Sequence, residues 1–292
     1  MDADELERLG NIKIDNKRHI VVFLDILGFK SHVMNYIDHK KGDNKEILNN
    51  IKSAYERALN SNYSSIFEYT GLNVQYKQFS DCTCLSIPNF SGNSRAAAMI
   101  LCSFIYLLRE FYFNMLTFDL YIRGGLSVGF HYEDDNIIFS EGLIKAYELE
   151  SKAVYPRIIL DDELIMRFKR LWANHKDTIS LFGVDKVLIS DWDGSVFINP
   201  FNFSQALENM ISEGHTKKPS VYDESKDLKT NLVEIDYKAQ IRVLKNLENK
   251  IKKLGYANTD DNILKKYIWL RELVNWNIDP ESAKIKFEYL LK

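Results

Sequence analysis

The sequence is poor in the residues that mark several classes of protein. Only three cysteines and five prolines occur in 292 residues. A disulfide-rich secreted scaffold needs an even and dense set of cysteines, and a disordered proline-rich chain needs far more proline. The odd cysteine count, Cys82, Cys84 and Cys102, therefore favours free thiols in a reducing compartment, for which we expect the cytoplasm.

Long apolar runs and one-signed charge are also missing. No stretch reaches the ~18 continuous apolar residues of a membrane span, and the acidic start MDADELERLG has no apolar core. The 38 basic and 41 acidic side chains are interspersed and give a net charge of -3. Without a basic stripe we expect no nucleic-acid partner, and no membrane.

What the chain has is enough apolar material, 46% of its residues, to fill a sizeable core. HIVVFLDIL has the length and β-branched content of a strand, and two helical patterns follow it. NVQYKQFSDCTCLSIP predicts two strands joined by a tight turn at Ser80 and Asp81. SRAAAMILCSFIYLLREFYFNML predicts a long buried helix.

The remaining patterns complete an α+β fold. FDLYIRGGLSVGFHYEDDNIIFSEG predicts a strand, a turn and a short returning strand, followed by the helix LIKAYELES and the strand RIIL. This order builds a ferredoxin-like βαββαβ sandwich, an antiparallel sheet with helices on one face.

The second part of the chain has a different character. We divide the chain into a core, 1–165, and a C-terminal extension, 166–292. The extension begins with a helix and a β-hairpin turning at Asp193-Gly194. EGHTKKPSVYDESKD is the linker candidate, and three helices follow it, the last opened by Asp279 as N-cap with Pro280 at its first position.

One carboxylate interrupts the first predicted strand, Asp25 in VVFLDILGF. An unpaired carboxylate is costly to bury, so it should have a partner or a metal ion. In the predicted topology Asp25, at the end of the first strand, lies beside Asp81 at the hairpin turn. Two adjacent acids repel unless divalent cations lie between them, which predicts a site for Mg²⁺ or Mn²⁺. The alternative for Asp25 is an N-cap of the following helix.

The residues after Asp25 predict an anion site. Gly28 allows the backbone N–H groups of Leu27, Gly28 and Phe29 to approach phosphate oxygens at the start of a helix.

These motifs resemble those of the class III nucleotidyl cyclases. FLDILGF matches the first metal motif, Phe-x-Asp-Ile-x-Gly-Phe, and FSDCTCL offers Asp81 for the second metal acid, with Ser80 in place of a glycine. IRGGLSVG matches Arg-x-Gly-Ile-His-x-Gly at Arg123, with Ser127 where the histidine would be. The similarity runs from about His19 to Leu164 and makes 1–165 a nucleotide cyclase catalytic core.

Two further positions indicate which class III cyclases the sequence resembles most. Lys77 stands where adenylyl cyclases carry a base-reading lysine, whereas the helix that supplies a transition-state asparagine and arginine reads GLIKAYELE. That helix has neither residue, although Lys145 offers a cation. It is similar to the helix of the bacterial pyrimidine cyclases of Pycsar anti-phage systems.

The resemblance implies an enzyme that converts UTP, or alternatively CTP, to the 3′,5′-cyclic monophosphate and pyrophosphate with two Mn²⁺ or Mg²⁺ ions. Its catalytic set is Asp25, Asp81, Arg123 and Lys145, and Ile26 joins the two acids as a metal ligand. Lys77 contacts the base, for which the acceptor at position 4 of uracil favours UTP. The resemblance also implies a homodimer with composite sites and a separate effector protein that responds to the product.

Four alternatives stay open. The missing asparagine and arginine are also what a degenerate cyclase fold that only binds a nucleotide would show. A related palm-type core would instead make dinucleotides, although the hairpin lacks the acidic motif of diguanylate cyclases. Cys82 and Cys84 share a strand face and with Cys102 form a conceivable metal site, against the commoner case of buried free thiols. Tyr76 and Tyr147 are candidates to stack on a base, against ordinary packing.

Overall fold

The computed structural model of the protein describes residues 13–37, 45–60, 74–92, 94–202, 204–212, 214, 218–219, 221–256 and 260–291. The acidic N-terminal decapeptide and part of the linker candidate lie outside them. The elements in chain order are β1 (Lys13–Ile26), α1 (Phe29–Ile37), α2 (Lys45–Asn60), β2 (Gln75–Phe79), β3 (Cys82–Ser91), α3 (Arg95–Thr117), β4 (Ile122–Glu133), β5 (Ile138–Ser140), α4 (Glu141–Lys152), β6 (Ile158–Leu160), α5 (Asp162–Leu181), α6 (Val184–Val187), β7 (Leu188–Ser190), β8 (Val196–Ile198), α7 (Ser204–Ser212), α8 (Leu228–Tyr256), α9 (Asp261–Ile278) and β9 (Glu288–Tyr289).

The strand order confirms the predicted fold class. Strands β2, β3, β1 and β4 are neighbours in that order, and each neighbouring pair is antiparallel. This is the βαββαβ arrangement, in which the first strand lies between the third and the fourth. Strand β6 then joins β4 in parallel, and β8, β7 and β9 continue the same sheet.

Both faces of the sheet carry helices, which corrects the prediction of helices on one face. The even-numbered side chains of β1 and β4, such as Val22 and Leu126, pack in one large apolar cluster with α3. On the opposite face α4 lies directly on β4, where a Cβ at Gly125 would come within 2.2 Å of the Ala146 carbonyl oxygen. A glycine is therefore needed at position 125 for α4 to lie this close.

Helix α3 is the centre of the core. It begins after Ser94, whose hydroxyl accepts a hydrogen bond from the Ala97 amide at 3.2 Å. By length and composition it is the one helix of the described residues apolar enough to cross a membrane, yet 78% of its most apolar window is buried in the protein. Burial on all sides by the sheet and by neighbouring helices identifies it as an interior helix.

The hairpin of the extension forms as predicted, and the last predicted helix is wrong. Gly194 turns between β7 and β8 with a φ of 81°. After Asp279 the described chain forms a turn, in which the Asp279 carboxylate accepts a hydrogen bond from the Glu281 amide at 3.1 Å. Strand β9 then pairs with β7. From residue 285 to 291 apolar side chains alternate with other residues, which is the pattern of a strand and not of a helix. Two of these apolar side chains, Phe287 and Leu291, are buried.

The predicted division at 165/166 stays a prediction. The extension adds strands to the same sheet, and the main apolar cluster runs from Ile20 to Leu291.

Candidate active site

One face of the sheet collects most of the predicted site residues. Asp25 is paired in register with Cys82 on one side and Arg123 on the other, and the next row on this face contains Phe23, Cys84 and Lys77. Alternation along each strand directs all these side chains to the face that α4 partly covers.

Asp25 and Asp81 converge at one end of this face. Oxygen atoms of both carboxylates and the sulfur of Cys82 lie within 4.8 Å of one another. Asp25 lies inside β1, four residues before α1 begins, so it does not cap that helix. Asp81 follows Ser80, which turns the hairpin with a φ of 56°. The topology therefore brings the two acids together as predicted.

The surroundings of Asp25 disfavour its charged form. Burial is the main cause, and the neighbouring carboxylates of Asp81 and Glu150 add to it, so that the pKa of Asp25 rises to about 6. The Arg123 guanidinium, 3.6 Å from the Asp25 carboxylate, opposes the rise in pKa. A cation bound between the two acids would remove this repulsion.

The donor set fits a hard divalent ion. Two carboxylates at one point are the protein ligands with which Mg²⁺ is typically held together with substrate phosphates. Ile26 can add only its backbone carbonyl, because its hydrocarbon side chain has no atom that coordinates an ion and is buried in the apolar cluster.

The three cysteines do not form a common site. Cys102 is buried in α3 within the apolar cluster, whereas Cys82 lies beside the acids on the other face. Burial and the charges of Asp81 and Asp25 raise the pKa of the Cys82 thiol to about 11. Burial likewise raises the pKa of Cys84, to about 12. The thiols are therefore neutral at physiological pH, which fits the free-thiol alternative.

The turn after Asp25 has the predicted geometry, with one correction. Gly28 has a φ of 77°, a conformation that favours glycine, and α1 begins at the next residue. The Leu27 amide, however, donates a hydrogen bond to the Tyr121 carbonyl at 2.8 Å. Leu27 therefore joins the sheet edge, and the anion site is reduced to the amides of Gly28 and Phe29 at the start of α1.

Arg123 lies between two carboxylates, one of which the sequence analysis missed. Its guanidinium contacts Asp25 and forms a closer ion pair with Glu150 of α4, whose side chain is almost fully buried. Glu150 is the ninth residue of the helix motif that starts at Gly142, the place of the family's transition-state arginine. The sequence signal for Glu150 was its position in this motif, because an acid there replaces the positive charge of the arginine with a negative one.

The two tyrosine candidates separate by face. Tyr147 is exposed on α4 and its ring meets Phe23 edge to face, with ring centroids 5.5 Å apart. Tyr76 lies on the other face of the sheet, packed against the apolar cluster, and donates a hydrogen bond to Gln78 at 2.7 Å. Lys77 shares the face of Tyr147 and Phe23, so these three residues border the same surface.

Lys145 does not join the acids within one protomer. Its ammonium group lies 2.7 Å from the Glu141 carboxylate and donates a hydrogen bond to the Val128 carbonyl at 3.3 Å. Val128 pairs with Ile20, five residues along β1 from Asp25. Within one chain Lys145 therefore contacts Glu141 and not the two acids, and its catalytic role stays a prediction.

Comparison with known proteins gives little more. No family model and no curated protein matches this chain. Among solved structures, two of a bacterial light-regulated adenylyl cyclase are similar, each with 12% sequence identity and a TM-score of 0.34. The matches cover 70% of this chain and 58% and 59% of theirs, so this chain spans less than two thirds of their length.

Proposed function

We propose that this protein is a nucleotide cyclase that converts UTP to 3′,5′-cyclic UMP and pyrophosphate, with CTP as the next choice of substrate. The observation that carries the proposal is the convergence of Asp25 and Asp81, with their ligand atoms within 4.8 Å. The positive-φ turn at Gly28 and the guanidinium of Arg123 lie beside them. An acid pair, an anion-binding turn and an arginine are what a metal-bound triphosphate needs.

Each residue has a separate task in this proposal. Asp25, Asp81 and the carbonyl of Ile26 would hold Mn²⁺ or Mg²⁺, and these ions would acidify the 3′-hydroxyl and neutralise triphosphate charge. The backbone N–H groups of Gly28 and Phe29 donate hydrogen bonds to phosphate oxygens at the positive end of α1. Arg123 neutralises charge next to the α-phosphorus, where the 3′-oxygen forms its new bond and pyrophosphate leaves. Because the attack is intramolecular, these groups mainly hold an in-line geometry.

The choice of UTP rests on Lys77. It borders the same surface as Phe23 and Tyr147, where a base would stack on aromatic rings. An ammonium group donates hydrogen bonds and accepts none, so it prefers the oxygen at position 4 of uracil to the amino group of cytosine.

We also propose that the protein acts as a homodimer. Exposed apolar side chains lie on α4 and on the β4–β5 hairpin, among them Ile144, Tyr147 and Phe139. A second copy covering this surface would exclude water from the site and would provide the composite arrangement in which Lys145 of one chain serves the acids of the other. Light scattering tests this, and a monomer at working concentration would contradict it.

The activity test uses the purified chain with each of the four nucleoside triphosphates and Mn²⁺. We expect cyclic UMP from UTP, identified by mass spectrometry, and no product after Asp81→Asn. Glu281→Gln, in the exposed turn after α9, removes one carboxylate away from the site and from the proposed dimer surface and should retain activity. Absence of any cyclic monophosphate from wild type would contradict the proposal, and a linear or cyclic dinucleotide would point to the palm-type alternative.

A second candidate function is nucleotide binding without turnover. Glu150 favours it. This buried acid occupies the position where class III cyclases carry the transition-state arginine, and it forms an ion pair with Arg123. In that case UTP with Mg²⁺ would raise the melting temperature, while no cyclic product would form.

The biological role we propose is synthesis of a second messenger in the cytoplasm during defence against phage, with a separate effector protein that responds to the product. Its support is the likeness of GLIKAYELE to the pyrimidine cyclases of Pycsar systems. Expression with its effector should protect bacteria from phage, and Asp25→Asn should abolish that protection.

A further inference from the structure

The proposed site has few cations of its own. Asp25, Asp81 and the buried Glu150 meet around one guanidinium, Arg123, which already contacts two of the three acids. Within one chain, Lys145 of α4 does not correct this balance, because it is bound to Glu141. A nucleotide triphosphate adds several negative charges, so a further cation beyond the bound metal ions would stabilise it.

Helix α9 of the extension is fixed against the same end of the sheet. The Tyr267 ring meets Tyr121 edge to face at 5.1 Å, and the Lys250 ammonium of α8 lies 4.4 and 4.8 Å from the two rings. The Tyr121 carbonyl in turn accepts the hydrogen bond from Leu27 in the turn after Asp25. These contacts place α9 beside the proposed phosphate site.

Lys266 immediately precedes Tyr267 and is half-buried. Burial lowers its pKa, and so does the positive charge of Arg123, while Glu150 and Asp25 oppose the shift. The Lys266 ammonium therefore interacts with the charged groups of the site itself. In the portion of the chain that is described, no direct ion pair holds Lys266, which leaves its donors available to a ligand.

We infer that Lys266 binds the polyphosphate of the nucleotide, so that a residue of the C-terminal extension completes the site built by the core. The seating of α9 on Tyr121, next to Arg123 and the Gly28 turn, carries this inference, which rests on the proposed function. It gives the extension a direct part in binding the substrate. It also supplies a cation that α4 lacks, because α4 carries the acid Glu150 where the cyclase motif has an arginine.

The test measures binding of inorganic tripolyphosphate in the presence of Mg²⁺ by calorimetry, with the full-length chain. This probe has no base and undergoes no cyclisation, so its affinity depends on the metal and phosphate contacts alone. We expect Lys266→Gln to weaken binding at least tenfold and Lys266→Arg to stay within about threefold of wild type. Lys265→Gln, the exposed neighbour on the same helix, should bind as wild type does.

The outcomes separate the two levels of the proposal. Equal affinity of Lys266→Gln and Lys265→Gln, with Mg²⁺-dependent binding by wild type, would overturn the role of Lys266 and leave the proposed function standing. Failure of wild type to bind tripolyphosphate with Mg²⁺ would remove the proposed function as well. If Lys266→Arg loses as much affinity as Lys266→Gln and both lower the melting temperature, the position is structural and the inference is wrong.

Discussion

The fold places the Asp25 carboxylate in a partly buried position next to other acids, where its charged form is unfavourable. Strand β1 places its carboxylate beside Asp81, and α4 adds Glu150, while the Arg123 guanidinium compensates part of this negative charge. Natural folds retain such local conflicts mainly at functional positions, because elsewhere a neutral residue would be more stable. The unfavourable environment of the Asp25 carboxylate is therefore evidence for a ligand. Its cost in unfolding free energy can be measured in the metal-free protein, without knowing that ligand.

Asp25→Asn should stabilise the metal-free protein in a pH-dependent way. The folded pKa of about 6 lies above the ordinary 3.8, so folding binds a proton between these values and stability falls as pH rises through that window. Above pH 6 the asparagine variant should be more stable by about 2 kcal/mol, since one pKa unit corresponds to about 1.4 kcal/mol and partial exposure reduces the effect. Below pH 4 this advantage should be absent.

Urea unfolding in a chelator, at pH 3.5 and pH 7.5, measures the difference. Asp135→Asn serves as the control, because it removes a carboxylate from an exposed turn. An advantage of Asp25→Asn that is equal at both pH values would contradict the raised pKa.

Sequence reasoning finds a residue of this site when its position follows from strand order. Asp25 ends a recognisable strand and Asp81 lies in a hairpin turn, so the ferredoxin-like topology alone predicts their meeting. Glu150 and Lys266 lie on helices, and the way a helix docks on a sheet depends on side-chain packing across distant parts of the chain. For that reason neither Glu150 nor Lys266 was predicted.

At the scale of elements, the closeness of α4 to the sheet decides where Glu150 and Tyr147 lie. Gly125 and Gly129 of β4 face Ala146 and Gly142 of α4, and Ser127 between them donates a 2.7 Å hydrogen bond to the Gly142 carbonyl. The small residues of IRGGLSVG thus serve packing as much as chemistry. Ser127 has a structural role at the position where the family motif has histidine.

Gly125→Ala should displace α4 and lower stability. The added Cβ would lie 2.2 Å from the Ala146 carbonyl and 2.4 Å from the Leu149 Cβ, both parts of the helix body that cannot rotate away. We expect a loss of about 2 to 4 kcal/mol in unfolding free energy, the range of severe overpacking. Gly255→Ala in α8 has nothing within 4 Å of its new Cβ, so it should be neutral or slightly stabilising. Equal melting temperatures of the two variants would show that α4 does not lie this close.

The C-terminal elements show the limit of local patterns. Asp279-Pro280 is a strong helix start in isolation, but the chain turns there and continues as β9, which pairs with β7. The free edge of β7 satisfies the backbone of residues 288–289 with hydrogen bonds, and this long-range partner outweighs the local signal. The alternation of Ile285, Phe287, Tyr289 and Leu291 was the sequence evidence for the strand.

At the scale of the whole molecule, the extension is joined to the core by buried polar contacts as well as by the sheet. Arg157, just before β6, donates a 2.8 Å hydrogen bond to Asp191 of the hairpin, and the Trp269 indole of α9 donates one to the same carboxylate at 2.7 Å. Tyr155 stacks on Trp269 at 5.2 Å. Removing one member of such a network leaves a buried charge without its partner, so these contacts resist separation of the two parts.

Core and extension should therefore unfold together. All four tryptophans, Trp172, Trp192, Trp269 and Trp276, belong to the extension, so their fluorescence reports its unfolding and undocking. The Cys102 thiol is buried inside α3 and reports the core, because it reacts with a thiol reagent only after the core opens. The variant Cys82→Ser, Cys84→Ala leaves Cys102 as the thiol that is labelled. In this variant we expect tryptophan fluorescence and Cys102 labelling to give the same urea midpoint, as a single cooperative unit requires. A fluorescence transition at lower urea than Cys102 labelling would mean that α9 detaches first, and that Lys266 reaches the proposed phosphate site only while the extension is docked.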